Sequence, residues 1–599
     1  MKTKIINCLK TLFLLVTTSL IFFACKKNIY PDVVPETPAV VTPIDFTTKV
    51  NSNVSGFVTN ENNLPVLGAT VKVGSVTTTT NRFGFFEVKN VQVVKTAATV
   101  TVVNSGYFNG IKTYMAEDGK SAFFRIKLLP KTSVGTIASA SGGTATSNGV
   151  KVSLPANAVV NAATNVAYTG NIAVAIKFIN PTSTEINNIM PGDLRGIDGN
   201  SNLKLLTSYG MAAVELTGSA GELLQIATGK KATLTMPIPA SILASSPASI
   251  PLWYFDEAKG LWKEEGSATK TGSEYIGDVS HFSFWNCDLP NAIVPLSFTV
   301  VNSSGSPLNN GYVEITPTSI GSVGHAGGYL NASGYVSLFV TPNTSYQLSL
   351  FSNHCGVSAP FYTQNFTVTT LPVSLGTITI NNASNNAIIN GTATNCNNTP
   401  LSNGRVYIYA NNIYSEISVS TNASFSFVRQ LCNGPENVQI IAEDLTTNQV
   451  GVPQQFTIVS GTNNVGNLQA CGTSTTQFIN FTVNGNSTNF TTPTSGFNQY
   501  LIANNIYLYG YNNSQQSGNA SLSFGNNGIG LNTIQPLNHF SASVISDSTY
   551  APNPINVAIT EYGAVGQYIS GNFSGIVRGT NPPNTNYNVV CSFRMKRNQ

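Results

Sequence analysis

VSGFVTNENNLPVLGATVKVG, residues 54–74, reads as two short strands flanking a turn at residues 60–65. Apolar and polar residues alternate on both sides of the turn, which is the period of a strand with one buried face. Pro65 closes the turn, and Gly68-Ala69 lets the second run enter a close-packed layer. TTTTNRFGFFEV, residues 77–88, follows, with Gly84 opening another strand at Phe85-Phe86.

The rest of the chain has the same character. Only 9% of its 599 residues are charged, so Asn, Ser, Thr and Gly must build much of the solvated surface. No long stretch repeats every 3.6 residues, and runs rich in Ala, Leu, Glu and Lys are missing. The length exceeds one core and suggests about four domains. The expected class is all-β: serial Ig-like or prealbumin-like sandwiches on a lipidated N-terminal tether.

The Val-x-Gly start, Pro65, Gly68-Ala69 and the Thr-rich run to Gly84-Phe85 resemble the carboxypeptidase regulatory-like domain over residues 50–131. That resemblance implies a seven-stranded structural or binding module without peptidase residues. Residues 132–287 carry MPGDLRGI (190–197), SYGMAAVEL (208–216), LWYFDEAKGLWKEEG (252–266) and the start of SHFSFWNCD (280–288). Their order resembles the extracellular β domain of cartilage intermediate layer protein. More distantly it is similar to the sandwich preceding the death-domain region of ankyrins and netrin receptors. Both imply a scaffold fold.

Two internal repeats come next, at 288–380 and 381–473. GSPLNNGYVEI (305–315) and NTPLSNGRVYI (398–408) share a Pro-Leu-x-Asn-Gly turn, and Pro307 and Pro400 stand 93 residues apart (400 − 307). Gly311 and Gly404 are expected to supply a positive φ there. Both repeats look like divergent relatives of the first module. The tail, 474–599, contains NIYLYGY (505–511), QYISGNFSGIV (567–577) and VVCSFRMKR (589–597). It resembles the C-terminal β domains of Bacteroidota lipoproteins, which implies location more than activity.

Lys2, Lys4 and Lys10 precede an apolar run at 11–23 that is too short to span a bilayer. Residues 1–24 therefore read as a signal peptide. Ala24-Cys25 resembles a bacterial lipobox, which implies acylation of Cys25. Residues 25–49 would form a Pro-rich linker to the membrane. Losing the three lysines takes the net charge from +4 to +1 (4 − 3), leaving no basic field for nucleic acid.

An exported chain favours disulfides. Cys396–Cys432 is expected within the second repeat, with Cys287–Cys355 as a further pair and Cys471 and Cys591 unassigned. The four histidines and the lack of a C-x-x-C pair leave no zinc site. Asp198-Gly199-Asn200 starts like a calcium loop, but Tyr209 stands where the bidentate Glu belongs, so an Asx turn is expected. No metal or other cofactor is expected.

His281-Phe282-Ser283 is the one triplet with catalytic types in catalytic order. His281 would deprotonate Ser283, whose Oγ would attack the Phe282 carbonyl and shift the peptide bond to an ester that water then opens, cutting the chain at Phe282-Ser283. The alternative is a regular strand, with Phe282 and Phe284 packed inward and His281, Ser283 and Trp285 on the other face. Trp253 and Trp262 read as core, while Trp285 is open to either core packing or sugar stacking. The reading taken is the strand, and with it a non-enzyme.

The expected function is that of a non-catalytic scaffold or adhesin-like binding protein on a lipid anchor in the outer membrane. Its ligand would be a cell-surface protein or glycan, at residues the sequence does not identify. Alternatives are a glycan-binding accessory of polysaccharide uptake and a self-processing protein.

Overall fold

The computed structural model describes residues 44–598 apart from 309–310, 319–325, 353–359, 382–385, 433, 448, 473–476, 492–494, 513–518, 531–532, 546–548, 564, 566–567, 581 and 583. Cys25, the signal segment, most of the linker and Cys355 lie outside the described residues. Residues 44–599 form one compact unit.

Almost every described element is a strand. The exceptions are a single helical turn at Ile186–Ile189 and a 3-10 segment at Ala240–Ser245. Runs of Val, Thr, Ile, Phe and Tyr explain this, because their branched or flat side chains fit a pleated, half-buried surface.

One module occurs three times. Lys49–Thr59 pairs antiparallel with Phe85–Val94 and parallel with Ser121–Lys127. Val294–Asn302 does the same with Tyr335–Val340 and Val373–Ile380. Asn386–Thr394 repeats it with Ser424–Gln430 and Gly461–Gln469. A second sheet of four or five strands completes each sandwich. The turn after each central strand ends in a bridged proline: Thr59 with Pro65, Val301 with Pro307, Thr394 with Pro400.

The expected positive φ at Gly311 and Gly404 is not found. Close packing requires glycine there instead. A Cβ on Gly404 would lie 2.7 Å from Leu401 Cδ1 and 2.8 Å from the Glu443 carbonyl oxygen. The left-handed position falls later in the module, at Gly84 (φ 71°), Gly334 (φ 71°) and Ala423 (φ 64°).

Between the first and second copies, residues 133–291 form a 13-stranded sheet assembly. After the third copy, residues 478–596 form a 10-stranded one. The sandwiches follow each other in sequence but are not strung out in space. Phe57, Phe83, Phe85 and Phe123 of the first copy share a core with Tyr407 and Ile441 of the third. Phe108, Ile111 and Leu129 pack with Trp253, Trp262 and Phe284 of the large sheet. A fully buried side chain of this kind contributes about 1.5–3 kcal/mol. The first copy is therefore a hub.

Candidate functional site

The self-cleavage triplet lies in a bend, and the strand begins only at Phe284–Asn291. This corrects the expectation of a regular strand through His281-Phe282-Ser283. The bend shifts the alternation by one residue: Phe282 joins Trp285 and Cys287 in one core, while Phe284 joins Trp253 and Trp262 in another. Gln225 holds the Phe282 peptide at both ends. Its Oε1 accepts from the Phe282 N–H at 2.6 Å, and its Nε2 donates to the Phe282 carbonyl at 2.9 Å.

Ser283 Oγ donates to the Phe284 carbonyl at 3.1 Å, away from the bond it would attack. His281 faces Glu265, with Nε2 3.8 Å from Oε2, and its ring meets Tyr254 edge to face at 4.5 Å. Burial lowers the His281 pKa, with Glu265 opposing the shift. The orienting acid thus comes from a neighbouring strand, which sequence proximity could not show. Asp278 instead accepts from Thr233 Oγ1 at 3.0 Å.

All three tryptophans have 0% exposure, so none offers a face to a sugar. Each indole N–H has a carbonyl partner: Asp288 for Trp253, Asp193 for Trp262 and His281 for Trp285. Trp285 lies in the core because the bend, rather than a continuous pleat, sets its direction.

The disulfide expectations are corrected. Cys396 is bonded to Cys471, with Cα atoms 4.7 Å apart. The parallel pairing explains it: Thr394 lies beside Gln469, so the two strands deliver both cysteines to the same end. Cys432 is in a disulfide as well. Cys287 is a free, buried thiol whose pKa burial drives far up, so the Cys287–Cys355 pair is not formed. Cys591 is likewise free and buried. The Asp198 loop is an Asx turn, with Oδ1 accepting from the N–H groups of Asn200 and Asn202 at 3.0 and 2.7 Å. Among the described residues no group of three metal-ligating side chains converges.

The charged groups that the sequence left unassigned converge where the modules meet. Two clefts, of about 430 and 400 Å³, lie beside the first copy and share Arg125 in their walls. Lys112 Nζ donates to the carbonyls of Asn187 and Met190 at 2.8 and 2.7 Å, and burial pulls its pKa down to about 7. Arg195 Nε pairs with Asp193 at 2.7 Å, and its guanidinium lies 4.5 Å over the Phe339 ring. Arg125 donates to the Tyr414 carbonyl at 2.7 Å and lies 5.0 Å over Phe57. Arg405 bonds Glu87 of the first copy and stands 3.4 Å from Glu416. Asn331 Nδ2 donates to the Ser121 carbonyl at 2.7 Å.

These contacts join the first copy to the large sheet and to both later copies. The sequence did contain a signal for them. In a chain this poor in charge, a Lys or Arg inside an apolar strand, as in GIKTY, SAFFRIK and GRVYIYA, marks a buried partner.

No family model matches the chain. Part of it is similar to cartilage intermediate layer protein 2 of Mus musculus, 30% identical over 106 residues. The protein of that name from Homo sapiens is 28% identical over 112 residues. Each match covers 18% of this chain and only 9% of the relative. Among solved structures, a shaft pilin from Lactobacillus rhamnosus GG aligns with 30% of this chain and 97% of its own, at 9% identity and a TM-score of 0.17. The TIE protein of Bacillus anthracis aligns with 63% of this chain and 68% of its own, at 8% identity and a TM-score of 0.14. Scores this low carry no functional meaning.

Proposed function

We propose that this chain is a non-catalytic scaffold or adhesin-like binding protein of the cell envelope, of the kind Bacteroidota carry on acylated cysteines. Cys25 would hold it to the outer membrane. The observation that supports this reading is the hub: three other sheet systems are fastened to the first copy, the large sheet by a shared core and the Lys112 hydrogen bonds, the second copy by the Asn331–Ser121 hydrogen bond, and the third by the Arg405–Glu87 ion pair and packed rings. Such fastening holds surfaces at fixed positions, which a binding protein requires. Self-processing draws no support from Ser283, whose hydroxyl is turned to Phe284.

Membrane flotation and adhesion of intact cells test the reading. Full-length protein should float with outer membranes, and Cys25→Ser should leave it soluble. Cells lacking the protein should lose attachment to surfaces coated with extracellular polysaccharide or protein. Equal attachment with and without the protein would overturn the binding role.

A further inference from the structure

We propose that one face of the C-terminal sheet, centred on Tyr509 and Tyr511, is a platform for a neutral polysaccharide chain. The proposal deepens the binding-protein reading above and rests on it.

Ser495–Ile502, Asn505–Asn512, Asn519–Gly525 and Ile534–Ala542 are consecutive antiparallel strands. Along the second of them, Ile506 and Leu508 point into the core, so Tyr507, Tyr509 and Tyr511 point out. Tyr500 lies directly across from Tyr507 on the same face. Tyr500, Tyr509 and Tyr511 are 44%, 39% and 41% exposed, whereas Tyr346 and Tyr407 elsewhere in the protein are fully buried. Three large exposed rings grouped on adjacent strands mark a surface with a use, where scattered ones would not.

The rings are held in place. Tyr511 lies opposite Gly496, and a Cβ there would fall 2.3 Å from Tyr511 Cζ. The ring therefore rests flat on the neighbouring backbone and turns its other side outward. Tyr500 and Tyr509 brace each other edge to face, centroids 5.9 Å apart. From Tyr507 to Tyr511 the row runs about 14 Å at the usual strand rise, the reach of a short oligosaccharide. Rigid tyrosines give broad amphipathic contact at small entropic cost, and the C–H faces of sugar rings suit them.

The surroundings specify the charge of the ligand. No Asp, Glu, Lys or Arg occurs from Leu445 to Ser546. The cross-strand neighbours of Tyr509 and Tyr511 are Asn498, Asn519 and Ser521, while Ser523 opposite Tyr507 is buried. His539 stands behind them, with Nε2 3.4 Å from Ser521 Oγ, and burial lowers its pKa toward the neutral form. The strands that carry the tyrosines thus hold no charged side chain with which to attract an acidic or basic polymer, but they have amides and hydroxyls to bond sugar hydroxyls.

Affinity electrophoresis of the full-length protein in gels containing amylose, β-1,3-glucan, arabinoxylan or galactomannan tests this, with alginate as the acidic control. At least one neutral polymer should retard it, and alginate should not. Tyr509→Ala and Tyr511→Ala should each weaken retardation at least tenfold, while Tyr509→Phe keeps most of it. Both positions are exposed, so unchanged thermal unfolding will show that the variants fold. No retardation by any neutral polymer overturns the proposal, as does retardation that the tyrosine variants leave intact. Light scattering that shows dimers dispersed by Tyr511→Ala would assign the face to a second copy instead. If attachment still depends on the protein while the tyrosine variants change nothing, the platform fails and the binding-protein reading survives. If attachment is equal with and without the protein, both fail.

Discussion

Phe83 and Tyr407 stack with ring centroids 4.0 Å apart, although they belong to the first and third copies of the module. The Tyr407 hydroxyl donates to Glu443 at 2.7 Å and accepts from Asn81 Nδ2 at 2.8 Å. One side chain thus fills a shared core and closes a polar link across the junction. Tyr407→Ala should lower the stability of the junction by about 3–5 kcal/mol, the usual range for emptying a large aromatic site. Tyr407→Phe keeps the stack but strands Glu443, at about 1–3 kcal/mol. Denaturant unfolding followed by limited proteolysis between the modules would check both.

Lys112 makes stability depend on pH. Its folded pKa is about 7, against a model-compound value of 10.5, because burial penalises the charge. Below about pH 7 both states hold the proton, and the buried charge is a cost. Between 7 and 10.5 only the unfolded chain holds it, so raising the pH stabilises the fold. A neutral amine still offers two N–H donors to the Asn187 and Met190 carbonyls. The stability difference between wild type and Lys112→Met should rise with pH in this window, by up to about 1.4 kcal/mol per unit. A flat difference would count against it.

Ala423 occupies the left-handed position that glycine fills in the other two copies. A Cβ on Gly84 or Gly334 would come within 2.3 Å of the Val58 or Val300 carbonyl oxygen. Ala423→Gly should therefore stabilise the third copy by about 0.5–1 kcal/mol, the relief of strain exceeding the added chain entropy. Gly84→Ala should do the reverse, and thermal unfolding reads the sign of each.

Cys396–Cys471 should appear in non-reducing peptide maps, and Cys287 and Cys591 should resist alkylation until the protein unfolds. Replacing both bridged cysteines by Ser should cost about 2–5 kcal/mol.

The purified protein should stay one chain on a denaturing gel, because the Ser283 hydroxyl is turned to the Phe284 carbonyl and away from the Phe282 carbonyl it would attack. A fragment beginning at Ser283, absent from Ser283→Ala, would refute this.

Local alternation carried the strand class, since residues such as Val71 and Val73 alternate with exposed neighbours whatever their context. The shared Pro65, Pro307 and Pro400 turns likewise exposed the repeat, because a turn is a local event. What stayed hidden depends on residues distant in sequence. The parallel pairing that joins Cys396 to Cys471, the Glu265 carboxylate beside His281 and the Glu87 partner of Arg405 leave no local mark. The tyrosine face lies between these cases. The period of NIYLYGY places its rings on one side of a strand, but only the packed sheet shows that this side is outward.

The parallel pairing inside each copy has a mechanical consequence. In all three, the opening strand and the closing strand lie side by side and run in the same direction. The chain therefore enters at one end of the module and leaves from the other. A pull along the chain slides these strands past each other and loads all their hydrogen bonds together, where an antiparallel hairpin would unzip one bond at a time. A force applied across the two ends of a module would meet a fold that bears shear.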